Sequence, residues 1–144
     1  MTFDKFTTKS QESLQQALQL AQEQRHQQVD VEHLMIALLD DPQGVSATLV
    51  ARLGVDPAEV KNLCQAEISR RPNVEGQAPY LSQRLNGVLV EAQKQADRMQ
   101  DEYVAQEHLL IAAVREESNA AAQFFRKHGI REGDFLSILK SVRG

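Results

Sequence analysis

Apolar residues recur along this chain at intervals of three and four, the spacing that lines one face of an α-helix. Leu14, Ala17, Leu18 and Ala21 form one such stripe; Leu85, Val88, Leu89, Ala92, Ala96 and Met99 form a longer one. A hydroxyl residue precedes each stripe, Thr7 or Ser82, and its oxygen can accept a bond from an orphan N–H of the first turn. Helices are therefore predicted over 8–25 and 83–99. Second helices are predicted from near Val31, behind Asp30 as cap, and near Gln106, behind the poorer cap Ala105. The run DDPQG over 40–44 ends the first of these, because proline cannot continue a helix. Third helices, 46–53 and 119–128, close at Gly54 and Gly129, and fourth helices follow at 57–69 and 132–142. No segment alternates with the period of a strand, so the fold class is all-α.

The stripes also repeat. VEHLMIAL at 31–38 returns as QEHLLIAA at 106–113, an offset of 75 residues. At that offset Ala17 aligns with Ala92, Val29 with Val104, Glu32 with Glu107, His33 with His108 and Gly54 with Gly129. The alignment needs no gap from Phe6 to Ser69. Between the copies, 70–80 carries two prolines and a glycine and no period, which is linker chemistry. The expected domain, 1–144, is then repeat 1 over 6–69, a linker over 70–80 and repeat 2 over 81–144, eight helices with pseudo-symmetry.

Composition narrows the function. A net charge of −4 and only 5% aromatic residues argue against a grip on nucleic acid, which needs a basic face or stacking rings. No stretch approaches the 18 apolar residues of a membrane span, and no apolar core follows the charged Met1–Thr8 segment as in a signal peptide. The single cysteine, Cys64, lies on an apolar helix face and reads as a buried, inert thiol. These features lead us to expect a cytoplasmic, monomeric domain. Neither a phosphate-binding G-x-x-x-x-G-K-[ST] loop nor a catalytic constellation is present. His33 and His108 follow glutamate, but the residues four further on are Ala37 and Ala112, so a zinc site of the HExxH type is not expected.

The opening FDKFTTKSQESLQQALQLA, the VEHLMIALL and QEHLLIAAV segments, and LGVD with HGIR together resemble the Clp N-terminal domain family. The link RRPNVEG makes the chain most similar to the ClpB-type disaggregases. That resemblance implies an accessory domain without cofactor of its own. It would be tethered to the AAA+ modules of a hexameric parent that uses ATP and Mg and works with the DnaK chaperone system. Its partner would be unfolded or aggregated protein, bound weakly and repeatedly near the ring pore. An alternative within the family is docking of a folded adaptor, or reading of phosphorylated arginine, for a protease-linked Clp unfoldase.

By the same resemblance Thr7, Asp101 and Glu107 match positions tied to substrate handling. The duplication adds Glu32 and Ser82. Thr7 with Glu32, and Ser82 with Glu107, are expected to form two polar notches if the first and second helices of each copy pack start to start. A carboxylate in a first turn is also favoured by the helix dipole alone. A reader of unfolded protein needs exposed apolar surface. The candidates for a groove between the copies are Leu85, Leu89, Val90 and Leu109, with Val90 off the main stripe.

Overall fold

The computed structural model describes residues 3–144. It holds eight helices: α1 (Thr8–Glu23), α2 (Val31–Leu38), α3 (Val45–Arg52), α4 (Pro57–Ser69), α5 (Gln83–Arg98), α6 (Gln106–Arg115), α7 (Ala120–Lys127) and α8 (Glu132–Arg143). Local chemistry sets their ends. Thr7 Oγ1 accepts from Ser10 N–H at 3.1 Å and Ser82 Oγ from Leu85 N–H at 3.0 Å, so both expected hydroxyl caps are made. Each first helix stops one or two residues earlier than predicted, because a left-handed residue follows its end, Arg25 (φ 56°) or Gln100 (φ 59°). Gly54 (φ 87°) and Gly129 (φ 72°) hold the matching turns after α3 and α7. Each of these pairs is 75 residues apart, so the backbone repeats with the sequence.

The core forms around α2 and α6. All eight residues of α2 are buried, and seven of the ten in α6. A helix apolar on every side belongs in the middle of a bundle, and here the other six pack around that pair. Phe125 and Phe135 meet edge to face at 5.1 Å within the same core. Cys64 is fully buried there, and burial, with Glu32 and Glu67 nearby, pushes its thiol up to about 12.

Short extended segments, missed by the sequence pattern, lock the copies together. Gln28–Val29 (β1) pairs in parallel with Tyr80–Leu81 (β2). Phe6 bridges Val104 in the same sense. Thr7 N–H donates to Val104 O at 2.9 Å, and Ser82 N–H to Val29 O at 2.9 Å. Each copy thus pairs its entry segment with the other copy's loop, an exchange rather than two closed halves. Two-residue strands are too short to show alternation, which is why the sequence is silent about them.

Candidate functional site

The exchange decides which polar groups meet. The entry to α5 lies against the start of α2, and the entry to α1 against the start of α6. Ser82 therefore bonds Asp30, beside Glu32 at the start of α2, and Thr7 lines one cavity with Glu107. This corrects the expected pairing of Thr7 with Glu32 and Ser82 with Glu107, which assumed that each copy closes on itself.

The notch at Glu32 is filled by the chain's own arginines. Arg84 Nη2 lies 2.9 Å from Glu32 Oε1 and 2.8 Å from Asp30 Oδ2. Arg71 reaches the same two carboxylates at 3.3 and 3.0 Å. Ser82 Oγ donates to Asp30 Oδ1 at 2.8 Å, and Ala120 N–H, in the first turn of α7, donates to Glu32 Oε2 at 3.0 Å. The Glu32 side chain is 2% exposed. Burial works against ionising Asp30, yet bonds from Arg84, Ser82 and Val31 N–H outweigh it and hold the carboxyl near 2. Both Glu32 oxygens are engaged, so Glu32 and Ser82 offer an incoming chain no open contact. They are cross-braces between α2, α5 and α7.

The notch at Glu107 opens into a cavity of about 720 Å³ between α1, the α2–α3 loop and the start of α6. Thr7, Lys9, Glu12, Asp41, Gln106 and Glu107 are among its walls. Gln106 Nε2 donates to Ser13 Oγ at 2.9 Å, tying α6 to α1 across the floor. Thr7 Oγ1 donates to Ser10 Oγ, which donates to Val104 O at 2.8 Å, so the cap and the inter-copy bridge share one chain of hydroxyls. Arg143, at the end of α8, bonds Glu107 Oε2 at 3.0 Å and Asp101 Oδ2 at 2.9 Å. Desolvation raises the Asp101 carboxyl, but bonds from His108 and Arg143 prevail and its net shift is downward. The fold thus gathers Thr7 and Glu107 on one cavity, with Asp101 joined to Glu107 through Arg143.

The leucines fall elsewhere. Leu85, Leu89 and Leu109 are 0% exposed and belong to the core, so the expected apolar groove at these residues is not formed. Their stripe is the inner face of α5 and the buried face of α6. Val90 is 45% exposed, as a residue off that stripe should be, and no other large apolar residue of α5 is comparably exposed.

The two histidines have structural work. His33 Nδ1 accepts from Asp30 N–H at 3.0 Å, and His108 Nδ1 from Ala105 N–H at 2.8 Å, each closing the start of its helix. That leaves Nε2–H to donate, to His26 Nδ1 at 2.9 Å in one copy and to Asp101 Oδ2 at 2.7 Å in the other. Burial, then His26 and Arg71, push His33 down to about 4. Among the described residues no helix is long and apolar enough to cross a membrane.

A duplicated all-α bundle with a cavity between its exchanged copies is a repeat-built helical domain. The model of the Clp repeat (R) N-terminal domain matches residues 5–128, and the chain belongs to that family. It is 34% identical over 149 residues to the chaperone protein ClpB of Bacillus cereus, covering all of this chain and 17% of that protein. This chain therefore spans about a sixth of the ClpB relative's length. The Hsp104 N-terminal domain from Candida albicans shares the fold with a TM-score of 0.83 at 22% identity, over 98% of this chain and 93% of that one. A ClpV N-domain in complex with a VipB peptide does so with a TM-score of 0.76 at 23% identity, over 92% and 82%. The chain is a Clp repeat domain of the kind that the ClpB chaperones carry at the N-terminus.

Proposed function

We propose that this domain captures loose polypeptide at the cavity between α1 and α6 and passes it to the ATP-driven ring of a ClpB-type parent for disaggregation. The observation that carries this reading is the convergence of Thr7 and Glu107 on one open cavity, with Asp101 linked to it by Arg143. The matching residues of the other copy are sealed, so one notch only is left for a ligand. The ClpV relative, whose N-domain binds a peptide, supports a peptide-sized occupant on this fold. Each contact is weak, and several tethered domains on one ring raise the effective concentration of client near the pore. In the test, the domain is titrated with a permanently unfolded protein and with the same protein folded. The unfolded form binds more tightly, and Thr7→Ala with Glu107→Ala weakens it while the thermal transition persists. Equal binding of both forms contradicts the reading.

A second reading, docking of one defined folded partner, is favoured by the same ClpV complex with its single peptide. Capture of one stoichiometric folded protein, in place of a spread of unfolded ones, distinguishes it.

A further inference from the structure

The cavity at Glu107 does not end at α6. A second cavity of about 290 Å³ lies between α1, α2 and α4, and the two share Gln16, Ala37 and Asp40 as a common wall. Together they flank α1 from Thr7 to Glu23. A helix of 16 residues is ~24 Å long, the reach of roughly seven residues of extended chain. The lining is suited to a backbone. Gln16, Gln19 and Gln106 each give one N–H to Asp40, Glu23 or Ser13, and keep a second N–H and a carbonyl oxygen for a backbone, as do the amides of Gln43 and Gln65 on the same walls. None of the strongly exposed large apolar residues of the described chain lies on this track.

Its charge is one-sided. The walls carry five carboxylates, Glu12, Glu23, Asp40, Asp41 and Glu107, against the amines of Lys9 and Lys61. Asp40 is held by Lys61 at 2.8 Å and Gln16 at 3.0 Å, and Glu107 by Arg143. Glu12 and Asp41 form no ion pair among the described residues. The sealed notch shows what the same architecture accepts. There, at the position matching Lys9, Arg84 sets its guanidinium on Glu32 and comes within 3.9 Å of Glu116, the match of Asp41. In the open notch Arg143 already holds Glu107, while Lys9 is exposed and bridges neither Glu107 nor Asp41 among the described residues, so the contact to Asp41, the match of Glu116, is left to a ligand.

We infer that the track along α1 takes an extended, unmodified polypeptide segment of about seven residues bearing lysine or arginine, its backbone read by the glutamines and its cation by Asp41, Glu12 and Glu107. This rests on the reading of the cavity as a polypeptide site and adds the class of segment it selects. The track spans a segment rather than one side chain. A phosphorylated arginine, which brings negative charge to these carboxylates, binds more weakly than arginine itself.

The test uses two unstructured ten-residue peptides, polar except for two lysines in one and two glutamates in the other, followed by fluorescence anisotropy. At low salt the lysine peptide binds roughly tenfold more tightly than the glutamate peptide, and the gap narrows as salt is added. Glu12→Gln with Asp41→Asn removes most of that gap. Gln65→Ala, in the second cavity, weakens the ten-residue lysine peptide but not a four-residue one. Equal affinity for both peptides, or a gap untouched by the double variant, overturns the inference. If unfolded protein still binds through Thr7 and Glu107 in that case, the reading of the cavity stands without it. If unfolded protein does not bind at all, both fall.

Discussion

The notch at Glu32 and the notch at Glu107 are built from matching positions, yet one is a brace and the other a cavity. Ser82, Arg84, Glu32 and Glu116 in the first stand where Thr7, Lys9, Glu107 and Asp41 stand in the second. Two changes separate them. Arg84 is a planar fork that can bridge several carboxylates at once, whereas Lys9 is a point charge on a flexible stem. Asp30, which gathers Arg71, Arg84 and Ser82, has Ala105 as its counterpart, so the second notch lacks the acceptor that would pull the walls shut. Duplication supplied two sockets, and divergence at a few charged positions turned one into structure.

Breaking the brace is expected to give the largest effect. Removing one partner of a buried charge cluster strands the others, at a cost of about 3–5 kcal/mol. Glu32→Ala should therefore lose stability on that scale in urea unfolding, while Glu107→Ala, on a surface-linked pair, loses less than about 1 kcal/mol. Comparable losses in the two variants would mean that the notches do not differ as described. Leu109→Ala should cost about 2–5 kcal/mol as a core truncation, and Val90→Ser within about 0.5 kcal/mol. Lost client binding in the leucine variant would then follow lost folding.

Acid provides a second separation. His33 is neutral when folded, with its proton affinity lowered to about 4 from 6.5 by burial, His26 and Arg71. The unfolded chain binds that proton first, so its stabilising effect is complete above pH 6.5 and is lost as the pH falls towards 4. The loss is on the order of 3 kcal/mol. Asp30 adds a further loss below its ordinary carboxyl range, as pH falls towards 2. His26→Asp removes a second histidine whose proton affinity burial and Arg71 also lower, and gives His33 the carboxylate partner of the second copy, so the slope of unfolding free energy between pH 6.5 and 4 should flatten. An unchanged slope would remove both histidines as its source.

The smallest effect concerns Ser46, whose hydroxyl is buried without a hydrogen-bond partner among the described residues, where the other copy has Ala121. Ser46→Ala is expected to raise stability by about 1 kcal/mol, read as a higher thermal midpoint. A loss would show that the hydroxyl is satisfied.

Much of this architecture could be read from the sequence because the helical stripes, the caps Thr7, Ser82 and Asp30 and the turn glycines all act locally. The 75-residue offset exposed the duplication for the same reason. What escaped is the exchange, since its contacts join Phe6 to Val104 and Val29 to Leu81 across long separations through segments without period. Missing it reversed the partners of Thr7 and Ser82. The leucine stripe of α5 marks a face that must be covered but not what covers it, so core and groove read alike. Arg71, Arg84 and Arg143 carry no local signal of the carboxylates they meet. The offset gave one available hint, the mismatch of Arg84 with Lys9 and of Asp30 with Ala105.

The proposed function confines polypeptide to the second notch. Backbone amide shifts of the labelled domain, followed by NMR during titration with an unfolded protein, test it directly. Movement is expected at Thr7, Lys9, Glu12, Asp41, Gln106 and Glu107, with Glu32, Ser82 and Arg84 unmoved. Shifts centred on Ser82 and Arg84, or on Val90, with the α1–α6 cavity silent, would contradict it.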